Sequence, residues 1–354
     1  MKLPNINIAF STQAASAITR SQKGVVALIL RDTSANGEHI LTSPAQIPST
    51  IGNENRDYIA RAFMGYVNHP RKVIVYILPS DAENLTEALA YLKTQTFDYL
   101  AGPPNISTAE CAAVVDWIKT QREAGFIPKA VLPDTAADNE AVINFTTNGI
   151  VAGTKEYTAA EYCSRIAGII SGTPMTISCT YAPLTEVSDV SRLTKSDMDD
   201  AINRGEFIIF YDGEKVKIGR GINSLQSITP DKGKAFKKIK ILEAVDMILK
   251  DIKETAEDNY IGKYTNSYDN KCLLISAIKG YFTGLEKDGI LEHGTSSVEI
   301  DIDAQEAYLL DAGKDTSSMT EQEIKTAATG DQVFLKAKIT ILDAIEDINL
   351  NITI

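Results

Sequence analysis

The sequence predicts an α/β domain with a mostly parallel sheet, then an α+β domain, with an extended β-strand arm at each terminus. Three observations predict this fold class. Strands alternate with helical patterns up to about residue 152, which is typical of a parallel sheet. A hairpin signal between capped helices follows from residue 158. The sequence near each terminus shows apolar residues at every second position, which is the period of a strand with one buried face.

The α/β part begins with the apolar run GVVALILR at residues 24–31, which is typical of a buried strand. A long polar connection, residues 33–55, comes next. Tyr58, Ile59, Ala62 and Phe63 then recur at helical spacing. The pattern continues with strands at 73–78, 98–101 and 129–132, helices at 56–67, 82–94 and 107–124, and a pair of strands at 142–145 and 149–152.

The second part is marked by helix caps and one turn. Thr158 with Glu161, and Thr194 with Asp197, have the spacing of capping boxes. The Asp-Gly pair at residues 212–213 lies between β-rich runs and predicts a hairpin. The remaining patterns predict strands at 176–180 and 298–302 and helices at 158–171, 194–204, 235–257, 271–287 and 320–328.

Residues 333–354 contain two alternating apolar runs. Leu335, Ala337, Ile339 and Ile341 share one face, and a second run predicts a strand over residues 346–354. Such strands either pair within their own fold or add to the sheet of a neighbouring subunit. The candidate subunit-linking residues are Ile348, Leu350, Ile352 and Ile354 at this end and Ile6, Ile8 and Phe10 at the other.

Composition limits the classes of protein. The chain has 354 residues, enough for two domains or three small ones, and a formal net charge of -12. That charge argues against a general nucleic-acid binder, because phosphate binding needs an excess of Lys and Arg. Four scattered cysteines indicate a reducing compartment. No signal peptide or membrane-spanning run is recognised, so we expect a soluble protein made in the cytoplasm.

The sequence shows no constellation of catalytic residues. It contains neither a phosphate-binding loop nor a nucleophile elbow, and the Gly219–Ser224 segment lacks the third glycine of a dinucleotide fingerprint. His39, His69 and His293 lie in unrelated contexts. The acidic clusters at 197–200 and 301–303 are interpreted as solvated positions. We therefore expect no catalytic residue, metal site or cofactor.

One charged cluster lies at the start of the predicted long helix. Lysines there oppose the helix macrodipole, so a binding partner could explain them. The alternative is a solvated basic face. The five residues are Lys232, Lys234, Lys237, Lys238 and Lys240.

Three segments together resemble a known family: GEFIIFYDGEKVKIGRGINSL at 205–225, FKKIKILEAVDMILKDI at 236–252 and DNYIGKYTNSYDNK at 258–271. Their series is similar to the conserved C-terminal domain of contractile tail sheath proteins of phages, defective prophage tails and R-type bacteriocins. The resemblance covers residues 158–354. It implies an N-terminal linking arm (1–22), an outer α/β domain (23–157), an inner sheath core domain (158–332) and a C-terminal linking β-arm (333–354).

The resemblance also implies a structural function. Subunits would polymerise as stacked hexameric rings around an inner tube and contract to drive the tube through a cell envelope. The implied partners are further copies of the chain, the inner tail tube protein, and baseplate and tail terminator proteins, without nucleic acid or membrane insertion. The chain would be made in the host bacterial cytoplasm, and the five lysines would face the tube. The alternatives are a cytosolic α/β enzyme with an unrecognised site and a binding module that self-associates through its terminal strands.

Overall fold

The computed structural model describes residues 18, 20, 22–230 and 232–353. Its strands are β1 Val25–Asp32, β2 Gly37–Leu41, β3 Lys72–Pro79, β4 Tyr99–Ala101, β5 Lys129–Pro133, β6 Val142–Phe145, β7 Ile150–Ala152, β8 Lys155–Tyr157, β9 Val187–Asp189, β10 Glu206–Phe207, β11 Ile209–Tyr211, β12 Val216–Ile218, β13 Ser297–Ile300 and β14 Leu335–Lys338. Its helices are α1 Asn53–Phe63, α2 Thr86–Leu92, α3 Thr108–Glu123, α4 Ala159–Ser171, α5 Lys195–Asn203, α6 Ile239–Asn259, α7 Tyr268–Lys287, α8 Ile302–Asp311 and α9 Glu321–Thr326.

The contacts divide the chain into two compact units. Of the described residues, the larger unit contains 22–230, 232–246 and 343–353, and the smaller unit contains 18, 20 and 247–342. The bounds differ from the sequence-based division at residues 157/158. The reason is that α4 and β10, both beyond residue 158, are built into the larger unit.

The larger unit is organised on a sheet with the strand order β10-β6-β5-β4-β1-β3-β2. Neighbouring strands are parallel except for β2, which runs antiparallel to β3. Leu28 of β1 belongs to the core shared with α1 and α4, and its neighbour Ile29 belongs to the core shared with α2 and α3. Both faces of the sheet are therefore covered, which explains the continuous apolar run of β1.

Helix α4 packs closely against α1. A Cβ atom at Gly168 would lie 2.2 Å from the carbonyl oxygen of Ala62, so only glycine fits there. Capping boxes begin α4 at Thr158 and α5 at Thr194, as predicted. The small residues of α4 therefore allow close packing against helix α1 as well as against the sheet.

The two strands predicted at residues 142–145 and 149–152 are confirmed as β6 and β7. They lie in different sheets: β6 joins β5 and β10, while β7 pairs with β8 and β9. One strand prediction in the larger unit is wrong. Residues 176–180 form no strand. The hydroxyl of Ser178 accepts from the amide of Thr180, a local bond that competes with strand pairing. The predicted hairpin is confirmed as β11 and β12.

The long helix begins later than predicted. Residues 234–237 form a short 3-10 turn, and Lys238 is extended, with φ −90° and ψ 128°. The main-chain carbonyl of Lys237 accepts from the amide of Asn223, which holds this stretch outside the helix. Helix α6 therefore starts at Ile239, and four of the five lysines precede it.

The smaller unit contains α7, α8, α9 and a two-stranded antiparallel sheet of β13 and β14. Leu291 and Leu309 are fully buried in it. Within the described part of the chain, no helix is both long and apolar enough to cross a membrane.

Candidate functional site

The carboxyl ends of the parallel strands, where α/β proteins often bind ligands, are occupied by side chains of the chain itself. Arg31 pairs with Glu110. The Asp32 carboxylate accepts from the amide of Gly52 at 2.8 Å, and the hydroxyl of Tyr58 donates to the Gly102 carbonyl at 2.8 Å. Among residues 18, 20, 22–230 and 232–353, no group of three acidic, His or Cys residues could hold a metal ion. The polar side chains at these strand ends therefore bond to other groups of the same chain and stabilise the fold.

A buried ion cluster lies at the amino ends of the strands instead. Lys129, whose side chain is 3% exposed, places its Nζ 3.0 Å from Asp246 and 3.4 Å from Glu243. Arg122 also pairs with Asp246, and the hydroxyl of Tyr99 donates to Glu243. The cluster fastens the start of α6 to β4 and β5. Its charges are already matched by one another.

The cluster sets the ionisation of its members. Burial alone would raise the pKa of Glu243, but Lys129 and Lys23 lower it to about 2. Burial alone would lower the pKa of Lys129, but Glu243 and Asp246 raise it. Glu243 and Lys129 are therefore both charged near neutral pH. A neighbouring cavity of about 10 Å³ has room for roughly one water molecule.

The C-terminal segment is fixed to the larger unit by a second buried carboxylate, Glu346. Its side chain is 5% exposed. Its Oε1 accepts from Thr180 at 2.5 Å and from Ser178 at 3.1 Å, and its Oε2 lies 3.1 Å from Lys238 Nζ and 3.4 Å from Arg220 Nε. We call Glu346 and these four partners the anchor cluster.

Two aspartates extend the anchor cluster towards solvent. Asp343 lies 2.5 Å from Lys238, and Asp347 lies 2.6 Å from Arg220. Burial alone would lower the pKa of Lys238, but hydrogen bonds to Asp343 and Glu346 raise it. The hydrogen bond to Asp347 raises the pKa of Arg220. Lys238 and Arg220 therefore stay charged. Residues 343–347 are held through three carboxylates, those of Asp343, Glu346 and Asp347.

The residues beside and beyond Glu346 expose large aliphatic side chains. Ile345 is 88% exposed, Ile348 80%, and Leu350 and Ile352 75% each. Residues 346–353 form no strand in this single chain. A large apolar surface left in water is typical of a binding site. We call residues 348–352 the linking segment.

The other predicted arm residues have different positions. Leu335 and Ala337 lie in β14, which pairs with β13 of the same chain, from Ser297↔Lys338 to Ile300↔Leu335. Ile6, Ile8, Phe10 and Ile354 lie outside the described residues. The structure thus separates the predicted C-terminal arm into a part paired within the chain and a part exposed beyond the anchor cluster.

The five predicted lysines do not share one environment. Lys232 pairs with Glu140 at 2.6 Å, Lys238 belongs to the anchor cluster, and Lys240 is buried in α6. Lys234 is exposed, and Lys237 is half-buried, with its Nζ 3.5 Å from Gln226. Of the five lysines, Lys234 and Lys237 are therefore the two that we expect to bind another molecule.

Sequence reasoning placed Glu346 in a strand and did not recognise it as an anchor. Its partners Ser178, Arg220 and Lys238 are 168, 126 and 108 residues away along the chain. The acidic residues just before the linking segment were the one sequence signal that could have indicated an anchor. Their partners could not be identified from the sequence, because the tertiary fold brings them together.

Two family models match the sequence. The model described as the phage tail sheath protein central domain matches residues 79–224. The model described as the phage tail sheath C-terminal domain matches residues 231–354. The second match includes Glu346 and Lys238 of the anchor cluster and the linking segment.

Individual proteins agree with these matches. A tail sheath protein of Clostridium phage phiCD119 is 41% identical over 356 residues, covering 99% of each chain. The helical sheath of the anti-feeding prophage in its contracted state matches with a TM-score of 0.74 at 17% identity, covering 100% of this chain and 99% of that one. A sheath tail protein of Desulfitobacterium hafniense matches with a TM-score of 0.69 at 18% identity, covering 84% and 94%.

Proposed function

Because the chain belongs to the phage tail sheath family, we propose that it polymerises as stacked hexameric rings around an inner tube and contracts to drive the tube through a target cell envelope. It is a structural protein of contractile injection systems and not an enzyme. The observation that carries the finer proposal is the exposed linking segment, since its alternating aliphatic residues lie on no sheet within the described part of the chain.

The linking segment is suited to adding a strand to a neighbouring subunit. Burying each of Ile348, Leu350 and Ile352 would contribute roughly 1.5–3 kcal/mol as an upper range, besides main-chain hydrogen bonds. The proposed acceptor is the sheet of β13 and β14 in the neighbouring subunit, because an isolated two-stranded sheet is marginally stable and gains from further strands. The N-terminal residues Ile6, Ile8 and Phe10 are proposed to act in the same way.

The remaining partners follow from the position of a sheath in a tail. We propose contacts with the inner tail tube, the baseplate and the tail terminator, and synthesis in the host bacterial cytoplasm. The tube contact is assigned to the lysine stretch before α6, above all Lys234 and Lys237, because a subunit of net charge -12 needs a local basic surface to hold an acidic one.

The proposal is tested by deleting residues 348–354, which spares the anchor cluster. We expect a folded subunit with an unchanged circular dichroism spectrum that no longer forms rings or tubes in electron micrographs. A variant with Ile348, Leu350 and Ile352 changed to Val is the control, since it keeps apolar alternation and β propensity and should assemble. Normal tubes from the deletion would refute the linking role.

A further inference from the structure

We propose that Glu346 is the positioning residue of the linking segment: it fastens the chain to its own subunit immediately before the segment starts. This inference rests on the proposed function of that segment in joining subunits. The anchor cluster would then fix the point at which the strand leaves the body. It would also limit how far the strand can reach.

The side chain of Glu346 is a buried charge. A carboxylate taken out of water is costly unless it is paired and hydrogen-bonded. Glu346 is 5% exposed, whereas the neighbouring Asp343 and Asp347 have side chains that are 42% and 81% exposed. Its Oε1 accepts hydrogen bonds from two hydroxyls, and its Oε2 lies beside the two cations, so the buried charge is paired. This arrangement is a formed binding site for one side chain of the C-terminal segment.

Apolar packing does not hold residues 343–347 on the larger unit. Ile345 and Ile348, on either side of the anchored residues, are 88% and 80% exposed. In a globular protein, buried aliphatic residues normally fix a chain to its core. Here the buried side chain is the charged one, and the aliphatic ones remain available. Residues 343–347 are therefore fastened by ion pairs, which leaves the apolar side chains free for another subunit.

The anchor cluster has a geometric consequence. Ile352 lies five residues beyond Asp347, so it can extend at most ~17 Å from that residue. Without the anchor cluster, the last fixed residue before the linking segment would be Leu342, whose amide donates to the carbonyl of Ile290 at 2.9 Å. Ile352 would then reach about twice as far, ~35 Å. The anchor thus restricts which neighbouring sheet the linking segment can join.

The anchor also determines where a pull on the linking segment is resisted. In chain order, Glu346 comes between the segment and β14, which is paired through four residue positions. Tension on the segment therefore acts on the anchor cluster before it acts on β14. The short sheet of β13 and β14 would be spared while subunits move relative to one another.

The test is the mobility of a nitroxide label at two positions of the full-length chain, measured by electron paramagnetic resonance. The label is placed by Ile345→Cys or by Leu350→Cys in a Cys272→Ser background, since the other three cysteines are buried. Both label sites are exposed, so the labels do not disturb packing. In dispersed subunits we expect a restrained spectrum at position 345 and a fast one at position 350.

Glu346→Ala should abolish the restrained component at position 345, so that its spectrum matches that of position 350. Asp57→Asn, which removes an exposed ion pair with Lys155, is the control and should leave both spectra unchanged. Glu346→Gln keeps the size of the side chain and removes its charge. This variant replaces Glu346→Ala in the measurement if the alanine variant does not fold. The anchor proposal is wrong if the label at position 345 stays restrained in both Glu346 variants. It is also wrong if that label is already fast in the parent protein.

The same labels separate the anchor from the proposed function. On assembly, the label at position 350 should become restrained if the linking segment joins a neighbour. If it stays fast in assembled tubes, the linking role fails while the anchor stands. If position 345 responds to Glu346→Ala only after assembly, the neighbour holds this stretch, and the anchor proposal is wrong.

Discussion

Buried acidic residues fasten the larger unit at two places. Glu243 and Asp246 connect the start of α6 to the sheet, and Glu346 holds the C-terminal segment. In each case the carboxylate meets more than one cation, so removing a single partner would leave a buried charge that is poorly compensated. These residues hold the start of α6 and the C-terminal segment in place on the larger unit.

Glu243 gives a prediction on pH. Its folded pKa of about 2 lies below the ordinary value of 4.5, so the folded state binds fewer protons than the unfolded state at acid pH. The stabilisation is therefore complete above about pH 4.5 and is lost as the pH falls towards 2. Glu243→Gln should lower the free energy of unfolding at pH 7 by roughly 3 kcal/mol and flatten its dependence on pH in this window.

Chemical denaturation between pH 2.5 and 7 measures this effect, and Asp57→Asn is again the control because its ion pair is exposed. If the glutamine variant keeps the parent's slope below about pH 4.5, the ion cluster does not carry the acid dependence.

At the scale of elements, sequence succeeded where the determinants are local. The capping boxes at Thr158 and Thr194 depend on residues three positions apart, and the Asp-Gly hairpin depends on residues at most nine positions apart. Sequence failed where pairing is distant. Strand β2 was included in a polar connection because its burial alternates at a sheet edge, and β10 has only two residues, which join β6 sixty positions away.

The stretch before α6 is the element for which sequence predicted a tube contact. Because Lys238 is part of the anchor cluster, the variant to test is Lys234→Glu with Lys237→Glu. We expect it to assemble less well on inner tubes, with the greater loss at low salt, where exposed charges are screened least. Tube-bound sheath is counted in electron micrographs at two salt concentrations.

Lys195→Glu with Lys215→Glu makes the same change of charge at exposed positions elsewhere and is expected to assemble normally. Equal assembly of the two double variants at both salt concentrations would mean that the lysines before α6 are only a solvated basic face.

At the scale of the molecule, the mostly parallel sheet covered on both faces was predictable from the alternation of strands and helices. The extent of the larger unit was not. Its bounds depend on Gly168 of α4, which approaches the backbone of α1, and on Glu346, which returns the end of the chain to this unit. Both are contacts between residues about 100 or more positions apart, which no local pattern encodes.

We propose that subunits are joined by linking segments that are anchored in their own bodies. A cryo-electron microscopy reconstruction of the assembled protein, in which residues 342–352 can be traced, tests this proposal. We expect residues 348–352 to form main-chain hydrogen bonds with a sheet of a different subunit, while Glu346 remains beside Arg220 and Lys238 of its own chain. A regular sheath in which this segment folds onto its own subunit, or stays exposed to solvent, would contradict it.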